Sequence, residues 1–246
     1  MKRFCFSGCS LTHGVSLNDS NENYASLVAV SQAAVLKNIS VPGNCNSKIF
    51  MESMNELLFD TPDVMFVQWS ELSRHWLYPA LDLEFPITAG IRNDLKYLDF
   101  FLPQQQANKF IDMFRYLNHD YHNILLVINY CKILEMLARD KCQLIFINGL
   151  IPWTAELQYP ESTRDPQRYF SEYTKNLLCI DQLPDDDIKK FFEAISTEIV
   201  KLDKSKWINM FSSIMDGAVD LAADNIHPGP VTHQNLANNI IKYLTK

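Results

Sequence analysis

Cys9 and Ser10 stand side by side in the stretch RFCFSGCSLTHG, residues 3–14, where a short apolar run stops at Gly8. Either side chain is a candidate nucleophile. A serine just past a strand, where the chain turns toward a helix, projects from the edge of a sheet. Backbone N–H groups at such a turn can face an oxyanion. Far along the chain, Asp224 and His227 lie three residues apart in DNIHPGP, residues 224–230. A carboxylate at that spacing can accept the Nδ1–H of the ring, which fixes the tautomer and leaves Nε2 as a base. Pro228-Gly229 puts the pair in a turn before the last helix.

Two further segments carry polar groups at strand ends. In SVPGNCNSK, residues 40–48, Gly43 can bring its N–H close to a ligand. Asn44 and Asn46 can donate hydrogen bonds there or cap the helix that follows. In VQWSELSR, residues 67–74, Trp69, Ser70 and Arg74 reach the carboxyl end of a strand. Trp69 equally suits the core, and Arg74 an ion pair.

These groups work together only if the intervening elements carry them to one edge. Residues 3–7, 63–70 and 142–148 are continuous apolar runs of strand length, as expected for strands buried on both faces. NISV, 38–41, reads as a short strand and KWINM, 206–210, as another. Helical periodicity runs over 22–37, with Asn21 or Asn23 as cap, and over 46–59, 104–139, 185–202 and 231–246. Strands that alternate with helical crossovers form a parallel sheet covered on both faces, and sites form at the carboxyl ends of its strands. Residues 76–103 and 150–184, rich in proline and aromatics, read as irregular insertions in a single domain spanning 1–246.

Composition narrows the function classes. The 246 residues are 47% hydrophobic and 21% charged, with a net charge of −7. An acidic balance without a basic stripe argues against nucleic acid as a partner, because phosphate binding needs cations. No apolar run is long enough to span a membrane. The six cysteines show no CxxC and no Cys/His metal spacing. With no signal-peptide pattern, a reduced cytoplasmic protein is expected, and the oligomeric state is left open.

With these segments in view, the sequence resembles the SGNH hydrolases, the GDSL-like esterases and lipases. FSGCSLTHG looks like the first block of that family, with Ser10 in the nucleophile's place and Cys9 where aspartate is usual. PGNCN looks like the second block, with Gly43 as the oxyanion-hole glycine, and DNIHPG like the last, with Asp224 and His227 completing a triad. The resemblance implies a three-layer α/β/α sandwich with a central parallel, flavodoxin-like sheet. It also implies hydrolysis of an ester without metal or organic cofactor. Strand alternation turns residues 9 and 10 apart, and the resemblance favours Ser10 over Cys9.

The third block departs from the family. It normally supplies an asparagine to the oxyanion hole; here the place reads QWSELSR. Ser70 is the nearest polar replacement, and Arg74 adds positive charge. Losing one oxyanion donor costs about 10²–10³ in kcat. Two expectations follow. One is an acyl- or acetylesterase using Ser10, His227 and Asp224, with an oxyanion hole of Ser10, Gly43 and Ser70 and substrate contacts from Asn44, Trp69 and Arg74. Its substrate would be a small-molecule or glycan ester, such as an acylated carbohydrate. The other is a non-catalytic ligand- or glycan-binding protein on the same fold.

Overall fold

The computed structural model describes residues 1–71, 75–80, 83–87, 120–149, 194, 197–210 and 212–246. Five strands, β1 (Arg3–Ser7), β2 (Val35–Asn38), β3 (Val64–Trp69), β6 (Gln143–Asn148) and β7 (Trp207–Ile208), form one sheet in the order β2-β1-β3-β6-β7. Every pairing in it is parallel. The register sets Phe6 beside Asn38 and Phe66, and Trp69 beside Asn148. The carboxyl ends of β1, β3 and β6 therefore lie along one edge.

Helices cover both faces. The described ones include α1 (Ser10–His13), α2 (Tyr24–Ser31), α3 (Asn46–Phe59), α4 (Asp120–Ala138) and α5 (Pro230–Leu244). The crossovers β1–α2–β2 and β2–α3–β3 run in opposite directions along the sheet. Right-handed crossovers then place α2 and α3 on opposite faces. Contacts agree, since α2 packs on α5 and α3 on α4. This is the three-layer α/β/α arrangement expected from the alternation of strands and helices.

Strand pleating splits each apolar run between the two faces. Phe6 meets Tyr24 of α2 edge-on and stacks on Phe66 at 4.2 Å. On the other face Trp69 lies against Tyr130 of α4, which in turn stacks on Phe50 of α3 at 4.2 Å. Burying a side chain of this kind is worth roughly 1.5–3 kcal/mol, and each aromatic pair adds about 0.5–1.5 kcal/mol. All six residues of β3 are buried, as the continuous run predicts.

Several boundaries differ from the sequence reading. The helix expected over 22–37 ends at Ser31, and residues 35–38, not 38–41, form β2. Ala33 takes a left-handed φ of 48°, Ala33 N–H donates to Val30 O, and Ala34 N–H donates to Ala29 O. That is a Schellman stop built on alanine where glycine is usual. Val35 N–H then donates to Lys2 O at 2.8 Å, which draws the chain into the sheet.

Part of the stretch read as irregular is an antiparallel ribbon, β4 (His75–Ala80) with β5 (Leu83–Ile87). Each strand of a two-stranded ribbon has an unpaired edge, so Pro79 and Pro86 do not forbid it. Of the helix expected over 104–139, residues 120–139 are described, and 120–138 are helical. Of that expected over 185–202, Ala194 and residues 197–200 are described and are helical. The stretch 150–184 and Arg74 lie outside the described residues.

Candidate active site

The chain leaves β1 through Ser7 and Gly8 and enters α1, with Cys9 as N-cap and Ser10 as the first helical residue. Ser10 thus sits at the carboxyl end of β1. The sequence argument from strand alternation does not apply here, because the strand has already ended. What separates the two side chains is packing. Cys9 is fully buried in the core, and its thiol donates to Gln68 Oε1 at 3.3 Å. The Ser10 hydroxyl donates to Cys9 Sγ at 4.0 Å. Among the described residues, no hydrogen bond joins Ser10 to His227.

Gly8 is required for proximity. A Cβ there would stand 2.3 Å from Thr12 Oγ1 and 2.8 Å from Gln68 Oε1. Its carbonyl accepts from Val41 N–H at 3.2 Å and from Asn44 Nδ2 at 3.3 Å. These bonds bring the turn of residues 41–44 against the start of α1. Gly43 lies in that turn with a left-handed φ of 82°, a conformation glycine adopts without steric cost. Asn44 is fully buried and also donates to Glu52 Oε2 at 2.9 Å, so both its amide hydrogens are engaged in holding the turn.

The end of β3 is fixed by a residue with a different role from the one read in the sequence. Asn46 was a candidate helix cap, but Cys45 is the N-cap of α3 and makes no side-chain capping bond. Asn46 instead reaches across to β3. Its Oδ1 accepts Ser70 N–H at 2.7 Å, and its Nδ2 donates to Ser70 O at 3.2 Å and Glu71 O at 3.3 Å. Ser70 is buried beside the site, and its hydroxyl has no hydrogen-bond partner among the described residues. Trp69 packs in the core between Tyr130 and Phe146, so its side chain does not face a ligand there.

Asp224 and His227 meet as their spacing predicts. His227 Nδ1 lies 2.6 Å from Asp224 Oδ2. The other carboxylate oxygen accepts Ile226 N–H at 2.9 Å and His227 N–H at 3.0 Å, closing a turn in which Asn225 has φ 56°. The Ser16 hydroxyl donates to Oδ2 at 2.7 Å. The His227 backbone N–H, the Ser16 hydroxyl and the His227 ring, in that order, hold the Asp224 carboxyl well below the usual carboxylate range. It is therefore ionised at neutral pH.

Residues 221 and 228 form a bridge at the base of this loop, and Ala222 N–H donates to His227 O at 2.8 Å. Below it the Asp220 carboxylate caps α5, accepting Val231 N–H at 2.9 Å and Thr232 N–H at 2.7 Å. Gly229 is needed here, since a Cβ would lie 2.5 Å from Asp220 Oδ2. Ser16 joins this loop to the first one. Val15 N–H donates to Ser10 O at 3.2 Å, so the turn that touches Asp224 is also tied to Ser10.

Sequence reasoning missed Ser16, Asn46 as a tie to β3, and Gln68. Nothing in the sequence marks Ser16, whose partner is 208 positions away. Gln68 carried a signal, as the one polar residue in the run from 63 to 69 after Asp63. Two other histidines, His13 and His233, serve elsewhere. His13 Nδ1 faces Ser40 O at 3.1 Å, and His233 Nδ1 accepts Tyr24 N–H at 3.2 Å.

No protein-family model matches this sequence, and no curated protein matches it. Solved structures do. The chain is similar to TesA at 13% identity, over 99% of this chain and 98% of that one, with a TM-score of 0.46. It is similar to a lipase/acylhydrolase from Enterococcus faecalis at 16% identity, over 99% and 95%, with a TM-score of 0.44. It is also similar to a carbohydrate esterase family 2 enzyme plus carbohydrate binding domain from Corynascus thermopiles (Myceliophthora fergusii). There the identity is 13%, the coverage 100% and 67%, and the TM-score 0.48. At these identities and scores the likenesses assign no role to any residue of this chain.

Proposed function

We propose that the protein is a serine ester hydrolase, a single-domain carboxylic ester hydrolase. The observation that carries this reading is the Asp224–His227 pair, held at 2.6 Å in a loop tied by Ser16 to the turn that follows Ser10. A histidine with Nδ1 on an ionised carboxylate presents Nε2 as a base.

In this reading Ser10 Oγ attacks the ester carbonyl and His227 Nε2 takes its proton. Asp224 holds the ring and stabilises the imidazolium. The N–H groups of Ser10 and Gly43 receive the oxyanion. The Ser70 hydroxyl, buried and without a partner among the described residues, is the third donor. His227 returns the proton to the leaving alcohol. It then activates water, which releases the acid and restores Ser10. Arg74, which follows this segment in the sequence, is the expected source of positive charge, and Asn44 supports the Gly43 turn. The substrate class is a small acyl group on an alcohol, with an acylated carbohydrate as the favoured case.

One observation favours a second reading, a ligand- or glycan-binding protein on this fold. Ser70 N–H is taken by Asn46, and both Asn44 amide hydrogens are engaged, which leaves few donors for an oxyanion. Hydrolysis of a panel of acetyl and longer-chain esters, with Ser10→Ala alongside, separates the two. The esterase reading expects turnover that Ser10→Ala abolishes. Ligand binding without turnover in either protein supports the second.

A further inference from the structure

Gln68 lies fully buried on β3, on the face that meets α1. An amide in an otherwise apolar strand costs free energy unless its polar atoms are paired. Here they are paired with the turn that carries Ser10. Gln68 Oε1 accepts Cys9 N–H at 3.1 Å, the Cys9 thiol at 3.3 Å and the Thr12 hydroxyl at 2.9 Å. Gln68 Nε2 donates to Trp69 O at 2.5 Å, which fixes the oxygen toward the turn.

The turn does not hold itself. α1 has four residues, and Cys9 makes no side-chain capping bond. A helix this short gains little from its own hydrogen bonds. Gln68 supplies an acceptor from a neighbouring strand to the first N–H of the turn and to Thr12 one turn on. Room for it is made by two of the seven glycines. A Cβ on Gly8 would lie 2.8 Å from Gln68 Oε1, and one on Gly149 only 1.9 Å from Gln68 Nε2.

Cys9 passes the effect to Ser10. Its thiol hydrogen is committed to Gln68, so its sulfur meets the Ser10 hydroxyl as an acceptor. We propose that Gln68 is a positioning residue, which fixes the Cys9–Ser10 turn and so sets where Ser10 Oγ stands. The catalytic part of this role rests on the reading of Ser10 as nucleophile.

The test is Gln68→Met, which keeps the length of the side chain and removes its acceptor. Labelling of Ser10 by a fluorophosphonate probe is followed against probe concentration in the folded protein. The saturating rate is expected to fall about 10- to 100-fold with the half-saturating concentration unchanged, as for a displaced nucleophile. An unchanged saturating rate overturns the proposal. If Gln68→Met does not fold, Thr12→Val, which removes one of the three donors, takes its place. It is expected to slow labelling about threefold, and no change there overturns the proposal. Amide hydrogen exchange at Cys9 and Thr12 reads the positioning role without chemistry. Protection at both is expected to drop in Gln68→Met, and unchanged protection overturns the role. Wild-type protein that resists the probe yet loses protection on Gln68→Met retains the role of Gln68 while the nucleophile reading fails.

Discussion

Ser16 donates its hydroxyl to Asp224 at 2.7 Å, and so ties the turn after Ser10 to the loop that carries His227. The two residues lie 208 positions apart, at opposite ends of the chain. Their hydrogen bond sets the relative placement of the turn proposed to carry the nucleophile and the loop proposed to carry the base, which no covalent neighbour fixes. Ser16→Ala removes one of four hydrogen bonds on the carboxylate. Its kcat is expected to fall roughly 3- to 10-fold, with KM and the circular dichroism spectrum unchanged; a loss of one bond of this kind is worth about 1 kcal/mol.

Asp224→Asn keeps the size of the side chain but places an amide against His227 Nδ1, at 2.6 Å. The ring is then driven to the wrong tautomer. Ester turnover is expected to fall about 10⁴-fold while the folded population is retained. Activity of this variant within tenfold of wild type, in an ester assay, would remove Asp224 from the triad.

Asn46→Ala tests the tie between α3 and β3. It strips Ser70 N–H and Ser70 O of their side-chain partner in a buried setting, and removes a half-buried bond to Glu71 O. The expected cost is about 2–3 kcal/mol in urea unfolding, because buried groups are left unpaired. Equal midpoints for the two proteins would show that the strand end is held by other contacts.

His233 gives the fold a pH dependence whose sign is fixed by burial. The ring is enclosed by α2 and α5, stacked on Tyr24, and accepts Tyr24 N–H through Nδ1. Burial pulls it down from 6.5 to about 4, against a smaller opposing pull from the Asp220 carboxylate. In the unfolded chain the ring protonates first, near 6.5. Stability from this group is therefore complete above pH 6.5 and declines as pH falls toward 4, by about 3 kcal/mol in all. Urea midpoints taken from pH 7 to pH 4 should show this decline and lose it in His233→Gln. A decline of the same size in the variant would assign it to other groups.

Much of this was legible in the sequence, and the exceptions have physical causes. Runs such as 64–69 announced buried parallel strands because both faces are covered and no polar alternation is needed. Asp224 and His227 were legible because the pair is local, three residues apart. The end of α2 was not, because alanine at 33 takes the left-handed conformation that a reader expects of glycine. The ribbon of β4 and β5 was hidden by prolines that a two-stranded pairing tolerates. Ser16 and Asn46 act on partners remote in sequence, and their residue types are ordinary for loops and helix starts. In the sequence Gly8 marks the end of a strand and Gly229 a turn; each also makes room for a side chain, Gln68 with Thr12 in one case and Asp220 in the other, and such neighbours appear only after folding.

The most direct measurement is reaction of the folded wild-type protein with a fluorophosphonate probe, followed by peptide mapping, with His227→Ala in parallel. The reading of Ser10 as a nucleophile activated by His227 predicts a single adduct on Ser10 in wild type and its near-complete loss in His227→Ala. An unlabelled wild type, or an adduct on another residue, contradicts it.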